Sequence, residues 1–351
     1  MAQLASQTME SPLVPASAEG FGDLLDPYRR ELLVHCYRML GSIDDAEDAV
    51  QDAFVRAWRG RDTFRQDISF RAWLYRIATN ACLDAIERPN RGGGHERSIV
   101  IGPLPDDDSE GIDDTEAGPE ARYDAHESIS LAFTTVLQLL PPRQRAVLIL
   151  RDVLSWRAAE AAELLELSVP AVNSALHRAR TAMAAQYRPT GHKVAAPGQG
   201  PARRRTTESR RVTALGQAAG DAGSLEPGAL RSLLDRYVRA WEAADIPGLV
   251  ALLRDDAVLT MPPGLSFLGH AGIADFLAKS IFVDGRQIRL VPIRANGGPG
   301  FAAYSRKGSS GPFLGFTVLL LAIDEGGIAR IDAFRELSLI PRFGLPEALA
   351  S

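Results

Sequence analysis

Two stretches without apolar periodicity, residues 91–122 and 188–227, cut this chain into parts that must bury their cores separately. The first is rich in Gly, Pro and Asp, the second in Gly, Ala and Arg, and both are poor in aromatics. Such compositions suit solvated connectors better than packed elements. A length of 351 residues fits two or three domains joined by them. The first twenty residues, rich in Ala, Ser and Pro, read as a disordered tail.

Between the tail and the second connector, the spacing is helical. Leu24, Leu25, Tyr28, Leu32, Leu33, Cys36, Tyr37 and Leu40 fall on one face at i, i+3, i+4 steps, and Gly41 ends that helix. A second helix is expected to open at Asp44, with Glu47 at capping-box distance and acidic residues facing the positive end of the dipole. A third runs from about Phe70 to Arg88 and stops before Pro89. Helical spacing resumes over residues 123–187, broken at Pro141-Pro142 and near Leu167-Ser168.

From residue 228 onward the pattern changes. One amphipathic helix, 230–244, precedes apolar β-leaning runs at 257–261, 288–294, 300–304, 313–323 and 328–337, with a short helix at 273–279. The expected fold class is therefore multi-domain: two all-α domains at 21–90 and 123–187, then an α+β domain at 228–351.

Composition mainly excludes. A formal net charge of −5 argues against a simple nucleic-acid coat protein. The charge is uneven, with an acidic run at 106–120 and a basic run at Arg203, Arg204, Arg205, Arg210 and Arg211. The two cysteines, Cys36 and Cys82, have neither metal spacing nor a disulfide framework, which suits a reducing cytoplasm. No signal peptide is apparent, the longest apolar run (316–323) is too short for a membrane helix, and no cofactor or metal motif is present.

Chemistry concentrates in two places. Residues 140–184 read as two short helices joined by a tight turn, a helix-turn-helix. Val172, Leu176 and Ala179 should face inward, leaving Asn173, Ser174, His177, Arg178 and Thr181 to reach base edges or phosphates. The stretch 62–80 mixes Phe64, Phe70, Trp73 and Tyr75 with Arg65, Arg71, Arg76 and Asn80, the mixture that holds single-stranded nucleic acid by stacking and backbone cations. Trp73, Leu74 and Ile77 are better explained as core, whereas Phe64, Arg65, Ser69 and Asn80 are not.

At these residues a resemblance becomes specific. Residues 44–58, DDAEDAVQDAFVRAW, closely resemble region 2.2 of extracytoplasmic-function (ECF) sigma factors. The aromatic stretch resembles their regions 2.3 and 2.4, and residues 139–183 are similar to their region 4. The resemblance implies that Asp48, Gln51 and Asp52 dock on core RNA polymerase. It further implies that Phe64, Arg65, Ser69, Phe70 and Asn80 capture an extruded base of the promoter −10 element, and that Asn173, Ser174, His177 and Arg178 read the −35 element. Asn173 and Ala175 stand where many relatives carry arginines, and Glu166 stands at a frequent turn glycine.

The C-terminal part resembles a SnoaL-like domain on three segments: 255–263, Gly269-His270 with 273–276, and 294–304. That fold, shared with ketosteroid isomerases, implies a curved sheet with helices closing a conical pocket, for which Asp256, His270, Arg294 and Tyr304 are the polar candidates. In sigma factors with such an extension it implies tuning of sigma activity, and the closing segment 342–346 fits that group. A small-molecule ligand and a separate anti-sigma partner are open. Two other readings remain at this point. A stand-alone duplex-binding regulator would leave Asp48, Gln51, Asp52 and the 64–80 aromatics unexplained, and an isomerase-like enzyme would require turnover by 228–351.

Overall fold

The computed structural model of the chain describes residues 17–64, 68–88, 101–109, 130–186, 226–262, 264–308 and 310–350. The sequence-expected tail, the basic run and most of both connectors lie outside these residues. The described chain forms two compact units: residues up to 95 with 140–181, and residues 96–139 with 182 onward.

The first unit begins with three long helices, α1 (Ala18–Leu40), α2 (Ile43–Gly60) and α3 (Phe70–Glu87). Each start is capped by a serine hydroxyl accepting a backbone N–H: Ser17 from Gly20, Ser42 from Asp45 and Ser69 from Ala72. The cap of α2 is thus Ser42, slightly upstream of the expected start, and Asp44 and Asp45 fall in the first turn, where the dipole favours them. Gly41 ends α1 at φ +80°, a conformation glycine takes without strain. Trp73, Tyr37, Leu32, Met39 and Leu74 fill the core between the three helices.

The chain continues through α4 (Asp106–Ser109) and α5 (Leu131–Leu137), which belong to the second unit, and then α6 (Pro142–Leu148), α7 (Ala158–Leu164) and α8 (Val169–Gln186). A π-helical turn, Ile149–Val153, extends α6. Of these, α6, α7 and most of α8 pack with the three long helices. The Arg145 guanidinium is buried and donates to the carbonyls of Met39 and Leu140, and the Trp156 ring lies 5.3 Å from Tyr75.

The second unit contains helices α9 (Pro227–Glu242) and α10 (Ile246–Val250), then strands β1 (Leu253–Met261) and β2 (Leu265–Leu268). Helix α11 (Gly269–Phe276) leads to β3 (Arg286–Ala295), β4 (Gly298–Lys307), β5 (Phe313–Asp324) and β6 (Gly327–Phe334). A short helix α12 (Leu339–Arg342) and β7 (Ala348–Leu349) close the chain. The sheet order is β2-β1-β6-β5-β4-β3 with β7 on β5, all antiparallel except β1 against β6.

Alternation along the strands gives this sheet two different faces. Leu259, Phe301, Leu319, Leu321 and Ile331 pack with Tyr237 and Trp241 of α9 in one apolar cluster. The opposite face buries Val318, Ala302 and Tyr304, together with a polar trio. In that trio Arg330 Nε lies 2.7 Å from Asp332, and Thr260, opposite Asp332 in the β1–β6 register, donates to the same carboxylate. Nothing in the sequence pattern flagged this trio, since an Arg-x-Asp pair in an apolar strand reads as a solvated edge.

Candidate functional site

On α2 the apolar positions Ala46, Ala49, Val50, Ala53 and Ala57 turn inward, which leaves Asp48 and Gln51 exposed on the other side. Asp52 is partly covered, because Arg56 donates to its carboxylate at 2.7 Å and Arg88 stands 3.7 Å away. Arg56 also bridges to Asp84 of α3 at 2.6 Å. Of the three residues expected to face polymerase, two are open and the third braces the helix pair.

The loop before α3 is organised by aromatics. Phe64 lies 5.4 Å from Phe70 and 5.3 Å from Trp73, and Phe70 also meets Phe21 and Tyr28. Phe70, expected to contact an extruded base, is 2% exposed and packs in the core of the free chain. Ser69 caps α3. Phe64 is half-buried and Asn80 is exposed, so both can be approached. Arg65 lies outside the described residues.

Behind this surface a polar network joins α1 to α3. His35 Nε2 is 2.9 Å from the Thr79 hydroxyl, which itself donates to the Tyr75 carbonyl at 2.7 Å. Burial, with help from Arg38 and Arg71, pulls the His35 imidazole down to about 3, so it is neutral at physiological pH.

The helix-turn-helix is formed by α7 and α8. Val172, Leu176 and Ala179 are buried, while Asn173, Ser174, His177 and Arg178 are exposed together on α8. The turn places Glu166 at φ +54°, the left-handed region, which explains why glycine suits this position. Sequence reasoning missed Asp152, on the π-helical turn, whose carboxylate is held by both Nε and Nη2 of Arg180 at 2.9 and 2.7 Å. The spacing could place Arg180, seven residues after Asn173 on one stripe, but carried no signal for Asp152.

The four polar candidates of the C-terminal domain are not gathered in one place. Asp256 is exposed and takes two hydrogen bonds from Arg254 at 2.9 Å, which hold its carboxyl below the usual range. His270 Nε2 lies 3.1 Å from the Leu253 carbonyl. Tyr304 alternates with Phe301 and Ala303 of the apolar cluster, points to the other face, and donates to the Pro346 carbonyl at 2.7 Å. The groups that do face the cluster are Tyr237 and Trp241, whose hydroxyl and indole N–H are buried side by side without a well-formed hydrogen bond.

Arg294 has a different partner altogether. Its Nε lies 3.1 Å from Asp106, in the segment expected to be a flexible acidic connector. That segment is docked on the β3–β4 turn. Asn296 N donates to the Leu104 carbonyl at 2.9 Å and Asn296 Oδ1 accepts from Leu104 N at 2.9 Å, a two-way bracket. Gly297 N donates to Asp106 Oδ1 at 2.8 Å, and Pro105 bridges to Ala295 as a short antiparallel pair. Leu104 is fully buried and Ile101 nearly so. The bracket depends on the turn, because Asn296 and Gly297 both have positive φ, at 55° and 73°.

This arrangement, a helical trio with an aromatic loop, a helix-turn-helix and a strand-rich C-terminal domain, defines a sigma-70 type initiation factor with an extension. Family models agree: Sigma-70 region 2 matches residues 24–92, Sigma-70 region 4 matches 130–183, and SnoaL-like domain matches 234–331. The ECF RNA polymerase sigma factor SigG of Mycobacterium tuberculosis is 37% identical over 344 residues, covering 92% of this chain and 83% of SigG. SigW of Bacillus subtilis is 33% identical over 175 residues, covering 48% of this chain and 90% of SigW. The crystal structure of the Mycobacterium tuberculosis ECF sigma factor SigJ shares the fold across 93% of this chain and 99% of SigJ, at TM-score 0.57 and 20% identity.

The chain belongs to the ECF RNA polymerase sigma factors. It is an initiation factor and not an enzyme: it binds core RNA polymerase and directs it to particular promoters. No described helix is long and apolar enough to cross a membrane.

Proposed function

We propose that this sigma factor is held back in the free chain by its own C-terminal domain, through the clip of residues 101–106 on the β3–β4 turn. The carrying observation is the two-way bracket of Asn296 on Leu104, with Asp106 fixed by Arg294 and Gly297. Burial of Leu104 adds about 1.5–3 kcal/mol of apolar stabilisation. The connector is the stretch that should follow the polymerase channel in the active complex, its acidic residues mimicking nucleic-acid charge. Docked and threaded states exclude each other.

In the working complex Asp48 and Gln51 contact polymerase, with Asp52 bracing α2. Phe64, Arg65 and Asn80 take the −10 base, supported by Ser69 and Phe70, and Asn173, Ser174, His177 and Arg178 read the −35 duplex. The two elements are about 25 base pairs apart, which at 3.4 Å per pair is ~85 Å. The helical trio and the helix-turn-helix pack through Arg145–Met39 and Trp156–Tyr75, so they must part to engage both elements. The work is done in the cytoplasm, where polymerase is.

Run-off transcription on fragmented genomic DNA with core polymerase tests both parts. Transcript starts sharing upstream elements, lost when Asp48, Gln51 and Asp52 become alanine, establish the polymerase face. Asn296→Ala with Asp106→Ala should raise initiation severalfold, as should truncation after residue 187. Identical transcription by intact, clip-broken and truncated chains would remove the restraint from the account.

A further inference from the structure

Arg180 lies on the stripe of α8 that carries Asn173 and His177, at i, i+4 and i+7. Its side chain is 61% exposed, yet its guanidinium fork is already filled by the Asp152 carboxylate, with Nε and Nη2 each on a different oxygen at 2.9 and 2.7 Å. Asp152 comes from the π-helical turn Ile149–Val153, outside the helix it restrains. Helix α8 carries two arginines, Arg178 and Arg180, so this one carboxylate neutralises half of its fixed positive charge.

We propose that Asp152–Arg180 is an exchange pair: on the −35 duplex a backbone phosphate replaces the Asp152 carboxylate on Arg180, and Asp152 acts as a brake on duplex binding. The inference rests on reading α8 as the −35 helix. Three features favour it. The planar fork of arginine fits phosphate and carboxylate alike, so the replacement preserves both hydrogen bonds. An exposed pair is held weakly in water, whereas a duplex presents a dense row of charges. Position matters as well. In helix-turn-helix docking the N-terminal part of the second helix meets base edges, which places Arg180, further along the stripe, beside the backbone.

The functional consequence follows from what phosphate contacts do. They position the protein but carry no sequence information. A brake on such a contact lowers binding to all duplexes equally and leaves base reading to Asn173 and its neighbours. Asp152 therefore makes the −35 helix less sticky without altering its preference.

The test uses holoenzyme, the full chain with core polymerase, on a promoter duplex recovered by run-off mapping and on an unrelated duplex of equal length. Affinity is measured against potassium chloride concentration for wild type, Asp152→Asn, Arg180→Ala and the double variant. Asp152→Asn should bind both duplexes about 3–10-fold tighter, with the plot of log K against log salt keeping its wild-type slope, because Arg180 meets the phosphate in both; Arg180→Ala should lower that slope by about one. The gain from Asp152→Asn should vanish when Arg180 is alanine. A slope unaffected by Arg180→Ala, an equal gain with and without Arg180, or weaker binding by Asp152→Asn overturns the exchange. Asn173→Ala separates the two layers. If it leaves promoter preference intact, α8 is not the reader and the exchange falls with it. If it shifts preference while Asp152→Asn changes nothing, only the exchange is wrong.

Discussion

Asp106 and Arg294 are paired across 188 residues of sequence, Nε to carboxylate at 3.1 Å, so the connector between the sigma regions is anchored to the C-terminal domain. The neighbouring bracket at Asn296 is the more sensitive element, because Leu104 N is buried and its Oδ1 partner cannot be replaced by water. Asn296→Ala should cost about 1–3 kcal/mol locally. Hydrogen exchange at the Leu104 amide should then accelerate tenfold or more, and an unchanged rate would show that the clip is held elsewhere.

His35 makes stability depend on pH. Its folded value is about 3 against 6.5 for the unfolded chain, so between those limits only the unfolded state takes up the proton. Stability of the helical unit should therefore be constant above pH 6.5 and fall as pH drops, by up to about 1.4 kcal/mol per unit. Urea midpoints at pH 7 and pH 5 measure this, and His35→Gln should flatten the difference.

Glu166 holds a left-handed conformation at the turn of the helix-turn-helix. Glu166→Gly should stabilise that motif by about 1 kcal/mol, since glycine takes this backbone without a side-chain clash. Thermal unfolding that moves downward would mean the Glu166 side chain makes a compensating contact.

Tyr237 buries a hydroxyl that lacks a well-formed hydrogen bond. Removing it as Tyr237→Phe should leave the C-terminal domain unchanged or more stable by up to about 1 kcal/mol. A loss of more than that in a thermal melt would reveal a bound partner for the hydroxyl.

The architecture was legible because its periods are strong. Leu32, Cys36 and Tyr37 lie where the helical spacing puts them, and Val172, Leu176 and Ala179 turn inward on α8. The exposure of Asn173, Ser174, His177 and Arg178 follows from the same spacing. Harder cases share one cause, which is that contact partners distant in sequence leave no periodic trace. Phe70 reads as a stacking aromatic but closes a cluster with Phe21 and Tyr28. Arg294 reads as a pocket cation but answers Asp106, and Tyr304 answers the Pro346 carbonyl. Asp152 and the Arg180 fork that it fills are 28 residues apart, and no periodicity pairs them.

The Asn296-Gly297 turn also sets a limit of size. With the turn gripping Leu104, residues 101–106 carry the bulk of a domain of roughly 120 residues, about 14 Å in radius of gyration. An opening one peptide wide admits a bare segment and not a laden one. Under the proposed restraint, two residues of a hairpin therefore decide which of the two polymerase meets.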